Sequence, residues 1–254
     1  MILATSVAAL AGVVVVVALA ATVQLSAGFG FGLAAVPLLS VVLDAHDAVL
    51  DAHDAVVVAL TLATFTNGYQ AWTGRREAAR GVAGRLLAGA AIGLPVGLLV
   101  FLRADERVLG AIIGAAVLVA VVVIGAGLDL RRAGPALDVA GGLVSGAMTM
   151  SAGVNGPPLV FVLQARRFGP AAFRATITTV FFVLDIVSVS VFTATGDLDG
   201  DVLVAVAVAL PGLALGAAAG LVIRRHLDAR RFRTLVLALL TVAGISALTS
   251  AIAG

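Results

Sequence analysis

One acid, Asp185, stands in the middle of an apolar run, Val180-Phe-Phe-Val-Leu-Asp-Ile-Val-Ser-Val-Ser190. A carboxylate in such a run is costly to keep and marks an ion pathway or a proton relay. Asp185 is therefore the candidate carrier of a coupling proton, the bland alternative being a hydrogen-bonded structural acid. Asn67 occupies a comparable place in the first half and is polar but not titratable. A second cluster lies in Gly142-Leu-Val-Ser-Gly-Ala-Met-Thr-Met-Ser-Ala-Gly-Val-Asn-Gly-Pro-Pro-Leu159. Asn155-Gly156 permits a turn, and Pro157-Pro158 cannot continue a helix but can begin one. A helix starting at Pro157 leaves amides near Gly153–Gly156 facing the cavity that must satisfy the break, at the positive end of its dipole. That is anion chemistry.

The first half repeats the pattern as Ser26-Ala-Gly28-Phe-Gly30-Phe-Gly32, with Pro37 about a turn later. Gly153, Asn155, Gly156 and Pro157, together with Gly28, Gly30 and Gly32, are the candidate substrate contacts. Ser145, Ser151, Ser26, Thr149 and Gln24 are candidate side-chain donors. The competing explanations are glycines that only allow close helix packing and hydroxyls bonded back to their own helix. No basic side chain falls near these positions, so an anion would be held by backbone and side-chain donors. Such a site suits a small, weakly held, hydrated oxyanion and suits a cation poorly.

Other chemistries are missing. There is no cysteine, which removes disulfides, thiol catalysis and thiolate metal sites. No nucleophile–His–acid set, HExxH or phosphate loop occurs, so neither an enzyme nor a cofactor is expected. Leu-Asp-Ala-His-Asp-Ala-Val stands twice in succession over Leu43–Val56. Two Asp-x-His-Asp units suggest a metal site, but tandem duplication in an insertion-tolerant loop explains the identity better, and no metal is assigned.

The elements that must carry these residues follow from composition. The 254 residues are 61% hydrophobic and 12% charged, with mean hydropathy +1.17, whereas a soluble domain carries about 25% charged residues. A soluble enzyme, a disordered chain and a nucleic-acid binder are excluded; the net charge of +2 points to no polyanion. Apolar segments fall at Met1–Val23, Phe31–Leu43, Ala55–Thr73, Leu86–Leu102, Val108–Leu128, Ala136–Gln164, Ala175–Gly196, Val202–Ile223 and Thr234–Gly254. Several are about 20 residues long, enough to cross a bilayer core as helix, and none alternates as a barrel strand would. Ala18-Leu19-Ala20 has the form of a signal cleavage site, but no basic region precedes it and the apolar pattern resumes, so no cleavage is expected.

The chain also repeats itself. Ala27-Gly28 is matched by Ala152-Gly153, and Gly93-x-x-x-Gly97-Leu98 by Gly216-x-x-x-Gly220-Leu221. Arginine placement orients the halves. Arg75, Arg76, Arg80 and Arg85 crowd one connection while its counterpart carries Asp197, Asp199 and Asp201. Arg224, Arg225, Arg230, Arg231 and Arg233 crowd another, whose counterpart balances Arg103 and Arg107 with Asp105 and Glu106. Equivalent connections of opposite charge lie on opposite sides of a membrane, which makes the halves inverted repeats. If Ala136–Gln164 enters and returns on one side, Arg166, Arg167 and Arg174 join the cytoplasmic set, leaving only Arg103 and Arg107 outside; a single span would leave ten outside.

The residues Gly28-Phe-Gly-Phe-Gly32 with Pro37, Gly142-x-x-Ser-Gly146 and Gly153-x-Asn-Gly-Pro-Pro158 resemble the two repeat motifs of the sulfite exporter TauE/SafE family. Leu210-Pro-Gly212 through Gly216-x-x-x-Gly220 and the arginines after it are similar too. The resemblance covers nearly the whole chain. It implies a bacterial secondary permease for sulfite, thiosulfate or small organosulfonates, commonly outward. Phe31 departs from the pattern where the family often has another glycine, and the duplicated loop is unusual.

The expected fold is thus an all-α polytopic membrane protein, one transmembrane domain of two inverted repeats, 1–128 and 135–254. Each repeat is a broken or re-entrant hairpin plus three transmembrane helices; residues 1–43 are also long enough for two full spans. Expected function is alternating-access transport of a small anion around a site between the hairpins, in a bacterial plasma membrane. The expected partners are the lipid bilayer and the anionic substrate, without nucleic acid; a homo-oligomer stays open. An importer of another solute or metal ion, and a non-transporting membrane scaffold, are the alternatives.

Overall fold

The computed structural model describes residues 7–44, 52–101, 134–152 and 155–228, with positions 230, 231, 234, 238 and 241 beyond. Among the described residues the chain is helical and contains no strand. In order the helices are α1 (Val7–Ala27), α2 (Phe31–Asp44), α3 (Ala52–Gly74), α4 (Arg80–Phe101), α5 (Pro135–Ala152), α6 (Gly156–Ala165), α7 (Pro170–Thr195) and α8 (Gly200–Arg224). The expected span Val108–Leu128, most of Thr234–Gly254, Arg103, Arg107, Arg131, Arg132, Gly153 and positions 45–51 of the duplicated loop lie outside the described residues. Ser151 is the penultimate residue of α5, with its side chain also outside them.

Leu10–Ala27, Pro170–Thr195 and Gly200–Arg224 are long and apolar enough to cross a membrane. Away from Arg174, Asp201 and Arg224 near their ends, their outward faces carry no charge to meet water. Leu215 is 67% exposed, and Val15, Leu19, Leu203 and Val222 are each more than half exposed. An apolar exterior around an apolar interior is the pattern of helices solvated by lipid.

The chain forms two compact units, Met1–Thr73 with Phe181–His226, and Gly74–Val180 with Leu227–Gly254. Each unit draws on both halves of the sequence. The first holds α1, α2, α8, nearly all of α3 and the later part of α7. Its core interleaves Val13, Val17 and Ala20 of α1, Phe31, Ala35 and Leu39 of α2, Val58 and Leu62 of α3, and Val202, Val206 and Ala209 of α8. Gly212, Gly216 and Gly220 of α8 lie against the backbone of Val14, Ala18 and Thr22, where an added Cβ would overlap the facing carbonyl. Three small residues at a four-residue spacing let two backbones meet, which dispersion rewards where lipid supplies no hydrophobic drive.

The second unit repeats this device. Gly89, Gly93 and Gly97 of α4 meet the carbonyls of Val139, Leu143 and Ala147 in α5, and Gly142 and Gly146 of α5 meet those of Leu86 and Ala90 in return. Pro95 in α4 and Pro211 in α8 each sit within the glycine-bearing helix, where a missing N–H and a ring clash favour a bend.

Helices α5 and α6 fold back as an antiparallel hairpin. Asp138 meets Arg166, Gly141 lies against Val162, and the Ser145 hydroxyl donates to the Asn155 carbonyl. The ten residues of α6 extend only about 15 Å at 1.5 Å each, half of a bilayer core. Its end is a Schellman turn: Phe168 N–H bonds Leu163 O at 3.1 Å and Arg167 N–H bonds Gln164 O at 2.9 Å. Arg167 takes the left-handed position, φ +55°, that glycine usually fills.

Candidate functional site

In the first unit, α1 stops at Ala27 and α2 starts at Phe31. Gly28 and Gly30 make the break, with φ of +89° and +102°, a backbone region that a Cβ disfavours. At Gly30 space forbids a side chain as well, because Val23 Cγ1 stands 2.9 Å from where a Cβ would be. Gly32 has no such role and is the second residue of α2. Gln24, in the last turn of α1, binds both flanks of the break. Its Nε2 donates to Gly28 O at 3.2 Å, and its Oε1 accepts from Phe31 N–H at 3.2 Å.

The same carboxamide donates to Asn67 Oδ1. Asn67 Nδ2 in turn donates to Asp185 Oδ2 at 2.7 Å. Gln70, one turn beyond Asn67 on α3, donates to Gln24 O at 3.2 Å. Gly68 makes the approach possible, since the Phe182 ring occupies the space where its side chain would be. Gln24, Asn67, Gln70 and Asp185 are all at least 97% buried. Burying polar groups is costly unless each finds a partner, and here several do not: Asp185 Oδ1, Gln70 Oε1 and Ser188 Oγ have none among the described residues. A continuous hydrogen-bonded chain thus runs from a helix break to an acid with one open oxygen.

In the second unit the break falls between Ala152 and Gly156. The sequence places the helix start at Pro157, and the structure begins α6 one residue earlier. Pro157 and Pro158 then occupy its second and third positions and carry no N–H, so of the first three helical residues only Gly156 presents an amide. Asn155 takes the N-cap position without using its side chain as a cap. Gly156 and Pro157 are buried.

The candidate hydroxyls have local partners. Ser26 donates to Val23 O at 2.9 Å and Thr149 to Ser145 O at 2.8 Å, each within its own helix. Ser145 spends its proton on Asn155 O at 2.7 Å, pinning the break to α5. Ser145 and Asn155 are therefore brought together, as are Gln24, Gly28, Asn67 and Asp185.

Sequence reasoning missed Asp138. Fully buried in the first turn of α5, it accepts from Arg85 Nε of α4 at 2.8 Å and from Arg166 Nε after α6 at 2.7 Å. Arg166 also donates to Gly134 O at 3.1 Å. The clamp closes the base of the hairpin. Its signal was an acid at the head of an apolar segment flanked by arginines. Gln70 and Ser188 were also missed; both sit one helical turn from residues that were noticed.

The sulfite exporter TauE/SafE family model matches residues 13–247. No curated protein and no solved structure matches the chain.

Proposed function

The chain belongs to the sulfite exporter TauE/SafE family, and from that premise we propose that this membrane transport protein is a proton-coupled secondary permease that exports a small sulfur oxyanion, sulfite first among them. The observation that carries the reading is the buried chain from the Gly28–Phe31 break through Gln24 and Asn67 to Asp185. Interrupted helices with buried polar groups belong to proteins that move solutes, because the freed backbone must face protein or a watered cavity. Intramembrane acids mark the coupling path, and Asp185 carries the proton in this proposal. Asn155, Gly156 and their neighbours are the proposed anion contacts in the second unit, with the Asn155 carboxamide as principal donor.

The proposal places the chain as a multi-pass protein of a bacterial plasma membrane, and two observations support inverted repeats within it. Each unit pairs the hairpin of one half with the glycine-bearing helix of the other, α1–α2 with α8 and α5–α6 with α4. A duplicated unit that exchanges partners with its copy gives this reciprocity. Arg85 and Arg166, both assigned to the cytoplasm by the charge count, meet at one carboxylate, as a hairpin returning to its entry side requires.

The test is flux in proteoliposomes under an imposed pH gradient. Asp185→Asn abolishes gradient-driven sulfite accumulation while leaving the protein folded. Undiminished accumulation in that variant removes the coupling role.

A further inference from the structure

Gln24 has more to do than fill a gap. Phe31 N–H is a backbone donor, so the Gln24 atom facing it at 3.2 Å is the oxygen. The nitrogen of the same carboxamide then points to Gly28 O and to Asn67. Asn67 must therefore show its oxygen to Gln24 and its nitrogen to Asp185, which accepts on Oδ2 at 2.7 Å. One end of the chain is covalently fixed, and the direction of every later bond follows from it. Neither carboxamide can turn over without setting donor against donor or oxygen against oxygen.

We infer that Gln24 is a positioning residue that links Asp185 to the α1–α2 break, so that releasing the first amide of α2 and loading Asp185 are coupled events. The inference rests on the anion-transport reading given above. An anion approaching the start of α2 competes with Gln24 Oε1 for Phe31 N–H. If it wins, Gln24 rotates and takes its donor away from the buried Asn67 Oδ1. A proton arriving on Asp185 changes that balance. The bond from Asn67 is charge-assisted while Asp185 is ionised and an ordinary one once it is neutral, roughly a halving of strength. A looser bond at the acid makes Gln24 cheaper to displace. The open Oδ1 is where such a proton can arrive without breaking the chain. Linkage is reciprocal, so anion capture at α2 favours proton uptake at Asp185, which couples the two in the same direction.

Along the described helices of this unit no other charge accompanies the pair within the spans. α1, residues 31–43 of α2, 61–73 of α3, 175–195 of α7 and 202–223 of α8 contain no charged side chain except Asp185. Tyr69 is the one other titratable group there, and it is exposed.

The test has two arms, both on the full chain in lipid nanodiscs. The first needs no anion and measures hydrogen exchange of the Phe31 amide. Gln24→Ala and Asn67→Leu each speed exchange about five- to tenfold, the loss of one net hydrogen bond. Asp185→Leu does the same, and Asp185→Asn, which still offers an acceptor oxygen, gives a smaller rise. Should Asn67→Leu fail to fold, the smaller Asn67→Ala carries the same expectation. Exchange that rises in Gln24→Ala but stays at the parent rate in the Asn67 variant shows that nothing passes beyond Gln24 and overturns the inference. The second arm titrates methanesulfonate, whose own charge is constant near neutrality. The parent binds more tightly as pH falls, and Gln24→Ala binds without that pH dependence; a retained dependence also overturns it. A parent protein that binds no methanesulfonate counts against the anion reading, while the exchange arm still decides the chain.

Discussion

Asp138→Ala tests whether the α5–α6 hairpin is held shut at its base. The acid is fully buried and meets two guanidinium groups unequally. Arg85 is 39% exposed and Arg166 only 12%. Water can re-solvate Arg85 when its partner goes, so that pair has the worth of a surface bridge, about 0.2–1 kcal/mol. Arg166 cannot reach water as readily, and stranding a buried charge costs about 3–5 kcal/mol. Asp138→Ala should thus lose about 3–5 kcal/mol. Arg166→Met should lose much of that, because Asp138 keeps only the weaker partner, and Arg85→Met should lose about 1 kcal/mol or less. For a chain of this size about 2–4 °C of melting temperature follows each kcal/mol. Thermal unfolding of detergent-purified protein should therefore drop by roughly 6–20 °C in Asp138→Ala. A double-mutant cycle between Asp138 and Arg166 should show coupling above about 1 kcal/mol. Equal losses for the two arginine variants, or a drop under about 2 °C for Asp138→Ala, would refute the clamp.

Gly216→Ala drives a methyl into the Ala18 carbonyl and should cost about 1–3 kcal/mol through forced separation of α1 and α8. Gly200→Ala, with open space around it, should leave the melting temperature within about 2 °C. Ser145→Ala removes the bond to Asn155 O and should cost about 1 kcal/mol, read as a lower melting temperature with substrate affinity changed less than stability. Asn155→Leu should do the reverse, abolishing sulfonate binding in a thermal-shift titration while the apo protein melts near the parent value; retained binding removes Asn155 from the site.

The helix interruptions were legible because glycine and proline act through their own backbone. Gly28 and Gly30 need left-handed φ, and Pro157-Pro158 must begin a helix; no partner is required to know either. The start at Gly156 rather than Pro157 was not legible, since a terminus moves by a residue at little cost. Gly93, Gly97, Gly216 and Gly220 showed as repetition, but their use depends on helices far away in sequence, and Gly216 meets Ala18 across almost two hundred residues. Hydroxyls were the least readable. Ser26 and Thr149 bond their own helices while Ser145 bonds across the hairpin, and residue type alone cannot separate those ends. Asp138 was overlooked for the same reason: the charges were in view, but their pairing is a property of folding.

The chain from Gln24 also gives a reason for one asymmetry between the proposed repeats. Asn67 and Asp185 hold comparable places in the two halves, and they are hydrogen-bonded to each other. A symmetric assembly of two identical copies would face like with like there. Two carboxylates would repel and share poorly, and two carboxamides could carry no proton. Fusing the copies into one chain frees each position to differ. An amide opposite an acid gives a single titratable group whose partner has a fixed polarity, set from the Phe31 amide outward. Gln24 belongs to the first half, whose break it holds, and no glutamine stands at a matching place before the second break, where Ser145 makes the bond to the turn instead. The division follows: one break is wired to the acid, and the other is pinned to its own hairpin by a hydroxyl.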